Sequence, residues 1–196
     1  MKARIAVLVS GGGTNLQALI DAEKSGILSS GEIVLVLSNR QDAYALQRAE
    51  AAGIRSLAFP IKGDPERLCR EMLTELKKEK IDLVVLAGFL AILTPEFIAA
   101  YPRRILNIHP ALLPKYGGMG YWGLHVHEAV LAAGETVTGA TVHFVTEGVD
   151  AGEILMQKEV AVLPGDTPEI LQKRVMREAE WILLPRVTEE ICQSIL

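Results

Sequence analysis

In the stretch NIHPALLP, Asn107 and His109 stand two residues apart, directly after the aliphatic pair Ile105 and Leu106. In an extended segment, residues at this spacing project to the same side. An imidazole changes charge near neutral pH, with an ordinary pKa of about 6.5. A carboxamide carries an N–H₂ group that can donate to an oxygen gaining negative charge. A single histidine is often only a satisfied structural residue; the pairing with Asn107 at the end of a strand argues for chemistry. Downstream, HFVTEGVDAGEIL offers Glu147 and Asp150 among Gly148 and Gly152. Turn formation alone would account for these residues. A carboxylate near His109 would favour its charged form, which makes Asp150 the expected partner. His143, inside TVHFV, is a strand residue that could turn toward the same cleft and support it.

The other histidines are weaker candidates. His125 and His127 alternate in GLHVHEA, a spacing compatible with metal, but there is no third ligand cluster and no HExxH. No metal is expected.

These side chains need a scaffold. The chain has 196 residues, 49% hydrophobic and 22% charged, with a net charge of −4. That suits one domain with a sizeable core over residues 1–196. The charges form no basic block of the kind that binds nucleic acid. The N-terminal apolar run is too short for a membrane span and lacks a cleavage-site pattern, so no membrane partner is expected. Cys69 and Cys192 are isolated, which points to a reducing, cytoplasmic compartment.

Apolar runs at 3–9, 33–37, 54–59, 81–89 and 104–108 predict buried strands. Helices are predicted between them, from Thr14 or Asn15 as cap to about 24, over 43–52 closed by Gly53, from Pro65 to about 80, and over 94–101 with Thr94 as cap. This alternation predicts a Rossmann-like, doubly wound α/β fold with a mostly parallel sheet. After residue 110 the pattern changes. A glycine- and aromatic-rich loop, KYGGMGYWG, leads to a helix near 125–133. The runs TGATVHFVT and EILMQKEVAV predict an antiparallel pair extending the sheet, and a last helix runs from about 168, bent at Pro185.

In open α/β sheets, ligands bind beyond the carboxyl ends of the strands, where SGGGTN, AGFLAIL, NIHPALLP and the loop after Thr146 all fall. VSGGGTNLQAL follows a strand and opens a helix, so its backbone N–H groups favour an anion. No lysine completes a phosphate loop, and Leu16 takes the place of the third glycine of a dinucleotide fingerprint. Asp42 and Arg40 lie near the end of the second strand, but LSNRQ itself lacks the ribose-binding acid. A plain strand-to-helix turn would also explain the glycines. The reading favoured is one phosphate monoester held at Gly12, Gly13, Thr14 and Asn15.

Taken together, NIHPALLP with VDAGEIL downstream, after SGGGTNLQALI and LAGFLAIL, resembles the folate-dependent formyltransferases along nearly the whole chain, in order and spacing. The resemblance implies the formyltransferase fold, with residues 1–109 as a nucleotide-binding half and 110–196 as a folate-binding, C-terminal half. It implies 10-formyltetrahydrofolate as co-substrate and Asn107, His109 and Asp150 as catalytic residues. It places Gly12, Gly13, Thr14, Asn15 and Glu180 at a ribonucleotide. Leu90, Ala91, Ile92, Leu93, Asn107, Thr146, Glu147 and Asp150 fall at the folate, with Pro110, Ala111, Leu112 and Leu113 at the mouth of that pocket. Ala91 stands where some relatives have arginine, and the loop after Lys115 is longer than in some. Members acting on methionyl-tRNA or hydrolysing formyl-folate carry an added domain for which 196 residues leave no room. Within the family the resemblance is to the purine-pathway branch, which implies the amine of a glycinamide ribonucleotide as acceptor. Its partners would be small molecules only, acting in a monomer or homodimer. A formyl-folate hydrolase, a transferase for another amine and a non-enzymatic nucleotide-binding module are the alternatives.

Overall fold

A computed structural model describes residues 2–196. One seven-stranded sheet runs in the order β3-β2-β1-β4-β5-β6-β7. Its strands are β1 (Ala3–Val9), β2 (Gly31–Ser38), β3 (Arg55–Ala58), β4 (Leu83–Leu86), β5 (Ile105–His109), β6 (Val137–Phe144) and β7 (Ile154–Ala161). The first five pair in parallel; β6 is antiparallel to β5 and β7 to β6. The mostly parallel sheet with an antiparallel extension is thus observed, and it crosses residue 109 without a break.

The helices are α1 (Thr14–Ser25), α2 (Tyr44–Ala51), α3 (Pro65–Lys78), α4 (Pro95–Ala100), α5 (Leu124–Ala132), α6 (Pro168–Val175) and α7 (Trp181–Ile195). A π-helical segment, Met176–Glu180, joins α6 to α7. Among the described residues no helix is long and apolar enough to cross a membrane.

Alternation along β1 sorts the core onto two faces. Ile5, Val7 and Val9 join Leu16, Leu19, Leu184 and Val187 of α1 and α7. Ala6 and Leu8 join Leu35, Leu37, Met72, Leu76 and Phe97 on the side of α3 and α4. Each fully buried aliphatic side chain contributes roughly 1.5–3 kcal/mol. Helix starts follow the expected chemistry where a polar cap is present: Asp64 accepts from the Arg67 N–H at 2.9 Å and Thr94 from the Phe97 N–H at 3.3 Å, each followed by proline.

Three local expectations are corrected. His109 is the last residue of β5, paired with Thr141, rather than one step beyond the strand. Gly13, at φ 72°, rather than Thr14 or Asn15, precedes the first turn of α1, and no side chain caps it. The last helix is interrupted at the π-helical segment, whereas Pro185 lies inside α7.

The chain turns back on itself beside β1: β2 and β3 build outward on one side, then β4 resumes on the other. Ligand-binding crevices form at such switch points. Here the strand ends are tied together, with the Ser10 N–H on the Gly88 carbonyl (3.1 Å) and the Leu90 N–H on Ser10 Oγ (2.8 Å). Beyond β5, the segment 110–113 is held by the buried Thr141 hydroxyl. It donates to the Ala111 carbonyl (2.6 Å) and accepts from the Leu113 N–H (3.1 Å) and Gln157 Nε2 (2.9 Å). Thr141→Val leaves the buried Ala111 carbonyl and Leu113 N–H short of a partner, and should lower stability by about 2–3 kcal/mol in urea melts while keeping the sheet.

Candidate active site

The cavity, of about 530 Å³, opens over the carboxyl ends of β1, β4 and β5. At one end lies the glycine turn. The Ala45 N–H of α2 donates to the Gly11 carbonyl (3.0 Å), and Arg48 Nε to the Gly12 carbonyl (2.8 Å). Both carbonyls are thereby committed to α2. A Cβ on Gly13 would meet Ala45 Cβ at 2.6 Å, and its φ of 72° is one that glycine adopts without strain. With no side-chain cap on α1, its first N–H groups are available to an anion.

Asn15 does not cap its own helix. Its Nδ2 donates to Glu180 Oε2 at 2.6 Å, a buried bond that crosses 165 residues of chain. Burial raises the Glu180 carboxyl to about 7, with the Asn15 bond offsetting part of the rise. Gly12, Gly13, Thr14, Asn15 and Glu180 all line the cavity.

At the centre stand Asn107, His109, His143 and Asp150, of which Asn107 and His109 lie on β5 and His143 opposite Asn107 on β6. Asp150, at φ 52°, closes the loop after β6. Its Oδ2 lies 3.5 Å from His109 Nδ1 and accepts the Gly118 N–H at 3.0 Å. Its Oδ1 lies 3.4 Å from Asn107 Nδ2 and 3.5 Å from His143 Nε2. Burial works to raise the Asp150 carboxyl, but the His109 charge and the Gly118 N–H hold it below the usual range.

The partners of each imidazole fix its protons. His143 Nδ1 lies 2.8 Å from the Phe144 carbonyl, which can only accept, so Nδ1 carries the proton and Nε2 accepts from Asn107 Nδ2 at 3.0 Å. His109 Nε2 lies 2.6 Å from the Tyr116 carbonyl and must carry a proton too. Its Nδ1 faces the Asp150 carboxylate. Both neighbours of His109 are acceptors, a setting matched by the imidazolium. Burial opposes that form and lowers the pKa; Asp150 and the Tyr116 carbonyl oppose the fall without cancelling it.

The other end of the cavity is apolar. Leu90 and Ile92 are more than half exposed at its mouth, with Val149 on the facing loop. Ala91 is half-buried, while Leu93 is buried beneath them against the core that includes Phe97. Thr146 and Glu147 are exposed and line the same opening. The loop after Lys115 covers the centre, bringing the Tyr116 carbonyl and the Gly118 N–H onto the site.

The expected site residues line one cavity except Ala111, Leu112 and Leu113, of which Ala111 and Leu113 are buried. Two contacts escape sequence reading, since the His143–Asn107 bond depends on the β5–β6 register and the Asn15–Glu180 bond on helix packing. His127 also escapes it: buried in the cavity wall, it has no protein partner at either ring nitrogen among the described residues. His125 is exposed and paired with Glu128 instead.

An amide, two imidazoles and a carboxylate beside an uncapped helix start on a doubly wound sheet can stabilise an oxygen that gains negative charge and move protons next to it. The Formyl transferase family matches residues 3–188, and the chain belongs to it. It is 42% identical over 196 residues to the chloroplastic phosphoribosylglycinamide formyltransferase of Arabidopsis thaliana, covering 98% of this chain and 66% of that protein. It is 43% identical over 176 residues to the phosphoribosylglycinamide formyltransferase of Escherichia coli K12, covering 89% of this chain and 80% of that one. The solved phosphoribosylglycinamide formyltransferase of Coxiella burnetii superposes with a TM-score of 0.89 at 40% identity, covering 99% of this chain and 89% of that one.

Because burial raises the Glu180 carboxyl from 4.5 to about 7, its stabilising contribution is full below about pH 4.5 and is lost as pH rises through about 7. Glu180→Gln escapes that loss. By calorimetry, the melting temperature of the variant relative to the parent should rise between pH 5 and pH 8.

Proposed function

We propose that this chain transfers the formyl group of 10-formyltetrahydrofolate to the amine of 5-phosphoribosylglycinamide, giving formylglycinamide ribonucleotide and tetrahydrofolate in purine biosynthesis. The observation that carries this reading is the Asn107–His109–His143–Asp150 cluster at the centre of a cavity with an anion-binding turn at one end and an apolar mouth at the other. The names of the relatives support the acceptor. Residues 1–196 work as one unit: the first 109 supply the phosphate turn, the later residues close the folate side, and Glu180 crosses back to the ribonucleotide.

The cavity suits both substrates. Leu90, Ala91, Ile92 and Leu93 with Thr146, Glu147 and Asp150 give the folate an apolar wall and polar rim, and Gly12, Gly13, Thr14 and Asn15 offer N–H and polar groups to a phosphate. When bound, the folate supplies the formyl carbon. The acceptor amine bonds to that carbon, the bond to the folate nitrogen breaks, and the proton lost by the amine ends on that nitrogen.

Asn107 donates to the formyl oxygen as it becomes negative. Of its two Nδ2 bonds, the one to His143 at 3.0 Å orients the amide, and the longer one to Asp150 at 3.4 Å turns to the oxyanion. Such a donor lowers the barrier by about 3 kcal/mol. His109, protonated, stabilises the same charge and delivers a proton to the departing nitrogen, a role worth about 10²–10⁴-fold. To do so it exchanges the Tyr116 carbonyl for the reacting atoms. Asp150 holds His109 charged and takes part in moving the amine's proton.

The direct test is formyl transfer by purified protein given both substrates. Formate release without formylated ribonucleotide would replace this reading with the hydrolase. Asp150→Asn removes the charge that favours the imidazolium, so the His109 pKa falls further and less of it is protonated at a given pH. The rate at pH 7.5 should drop about 10²–10³-fold. The limb on which activity falls with rising pH should move to lower pH, read from kcat/KM profiles.

A further inference from the structure

One buried polar side chain in the cavity wall has no role in the reaction just described. His127 is 0% exposed, and neither Nδ1 nor Nε2 has a protein hydrogen-bond partner among the described residues. A valine or leucine would fill such a place without leaving a donor and an acceptor unmatched, and buried polar groups are normally paired. The ring lines the cavity together with His109, Gln172 and Met176. Its helix, α5, packs against α6, which carries Gln172. Gln172, Met176 and Glu180 follow one another on α6 and the π-helical segment, and Glu180 accepts from Asn15.

Its charge state narrows the ligand. Burial, and to a smaller degree His109, push the ring down to about 4. At neutral pH it therefore offers one N–H and one lone pair with no charge. That pairing suits a carboxamide or a hydroxyl. It does not suit a phosphate, for which the glycine turn supplies N–H groups.

We propose that His127 is an acceptor-binding residue, hydrogen-bonding a neutral group of the ribonucleotide, its carboxamide or a sugar hydroxyl, next to the amine served by His109. This rests on the formyl-transfer reading of the cavity. A structural role for His127 makes the opposite forecast about stability. If the ring held the fold together, replacing it would lower the melting temperature; if it waits for a ligand, an apolar ring in its place leaves the free protein as stable or more so.

The test is His127→Phe beside His127→Gln, with 5-phosphoribosylglycinamide titrated calorimetrically in the absence of folate. For His127→Phe the expected result is about a tenfold rise in Kd and in the acceptor KM, the scale of one hydrogen bond. The formyl-folate KM and kcat should stay within about twofold, and the melting temperature should not fall. His127→Gln, which keeps a donor and an acceptor, should recover part of the affinity. Unchanged affinity in His127→Phe, or equal losses for both substrates with a lower melting temperature, overturns the inference.

A measurement on the unaltered protein covers the case of a variant that does not fold. The His127 ring nitrogens, followed by ¹⁵N resonance, should shift when 5-phosphoribosylglycinamide is added and stay put with orthophosphate. A shift with ribose 5-phosphate assigns the bond to a hydroxyl; a shift only with the full acceptor assigns it to the carboxamide. No shift with either overturns the proposal. Absence of formyl transfer in the unaltered protein would instead sink the functional reading itself, and the inference with it, a result distinct from an active enzyme indifferent to His127.

Discussion

Everything at the centre of this cavity is arranged around one nearly buried carboxylate. Asp150 faces the Gly118 N–H, the Asn107 amide and two imidazoles, all within 3.5 Å. An isolated carboxylate at this depth would take up a proton rather than remain charged. These neighbours reverse that tendency and hold it ionised. In return, the charge draws the loop after Lys115 onto the site through Gly118, and it works against the burial that would strip His109 of its proton. Folding the loop and charging the acid are thus two aspects of one electrostatic arrangement.

The cavity divides its work between two kinds of polarity. The centre uses side chains that titrate or turn. The glycine-turn end presents backbone: the carbonyls of Gly11 and Gly12 are drawn toward α2 by the Ala45 N–H and Arg48, and the start of α1 has no side-chain cap. No lysine or arginine is among the residues lining this cavity. Anion recognition through fixed N–H dipoles costs little reorganisation, because the strand–turn–helix unit has set them before any ligand arrives.

Much of this architecture was legible in the chain. Residues such as Ile5, Val7, Leu35 and Val85 are apolar without interruption because their strands are covered on both faces, and that pattern is local. The same holds for Asn107 and His109, whose spacing of two puts them on one side of β5. What the sequence withheld is set by register and packing between distant segments. His143 meets Asn107 because β6 runs antiparallel to β5 in one particular alignment. Asn15, which looked like a helix cap, instead reaches across to Glu180. His127 looked like half of a metal pair, and only burial on α5 separates it from its exposed neighbour His125.

The π-helical segment before Trp181 gives Glu180 its place. A wider turn there shifts the phase of α7 relative to α6, so that Glu180 faces Asn15 while Leu183, Leu184 and Val187 still face the core. An α-helix advances about 100° per residue. Losing one residue from this segment would regularise the helix and, in the same stroke, rotate either the carboxylate away from Asn15 or the apolar stripe away from the sheet. The length of this helix is therefore as constrained as the identity of the residues on its two committed faces, and tolerance to insertion or deletion should vanish here.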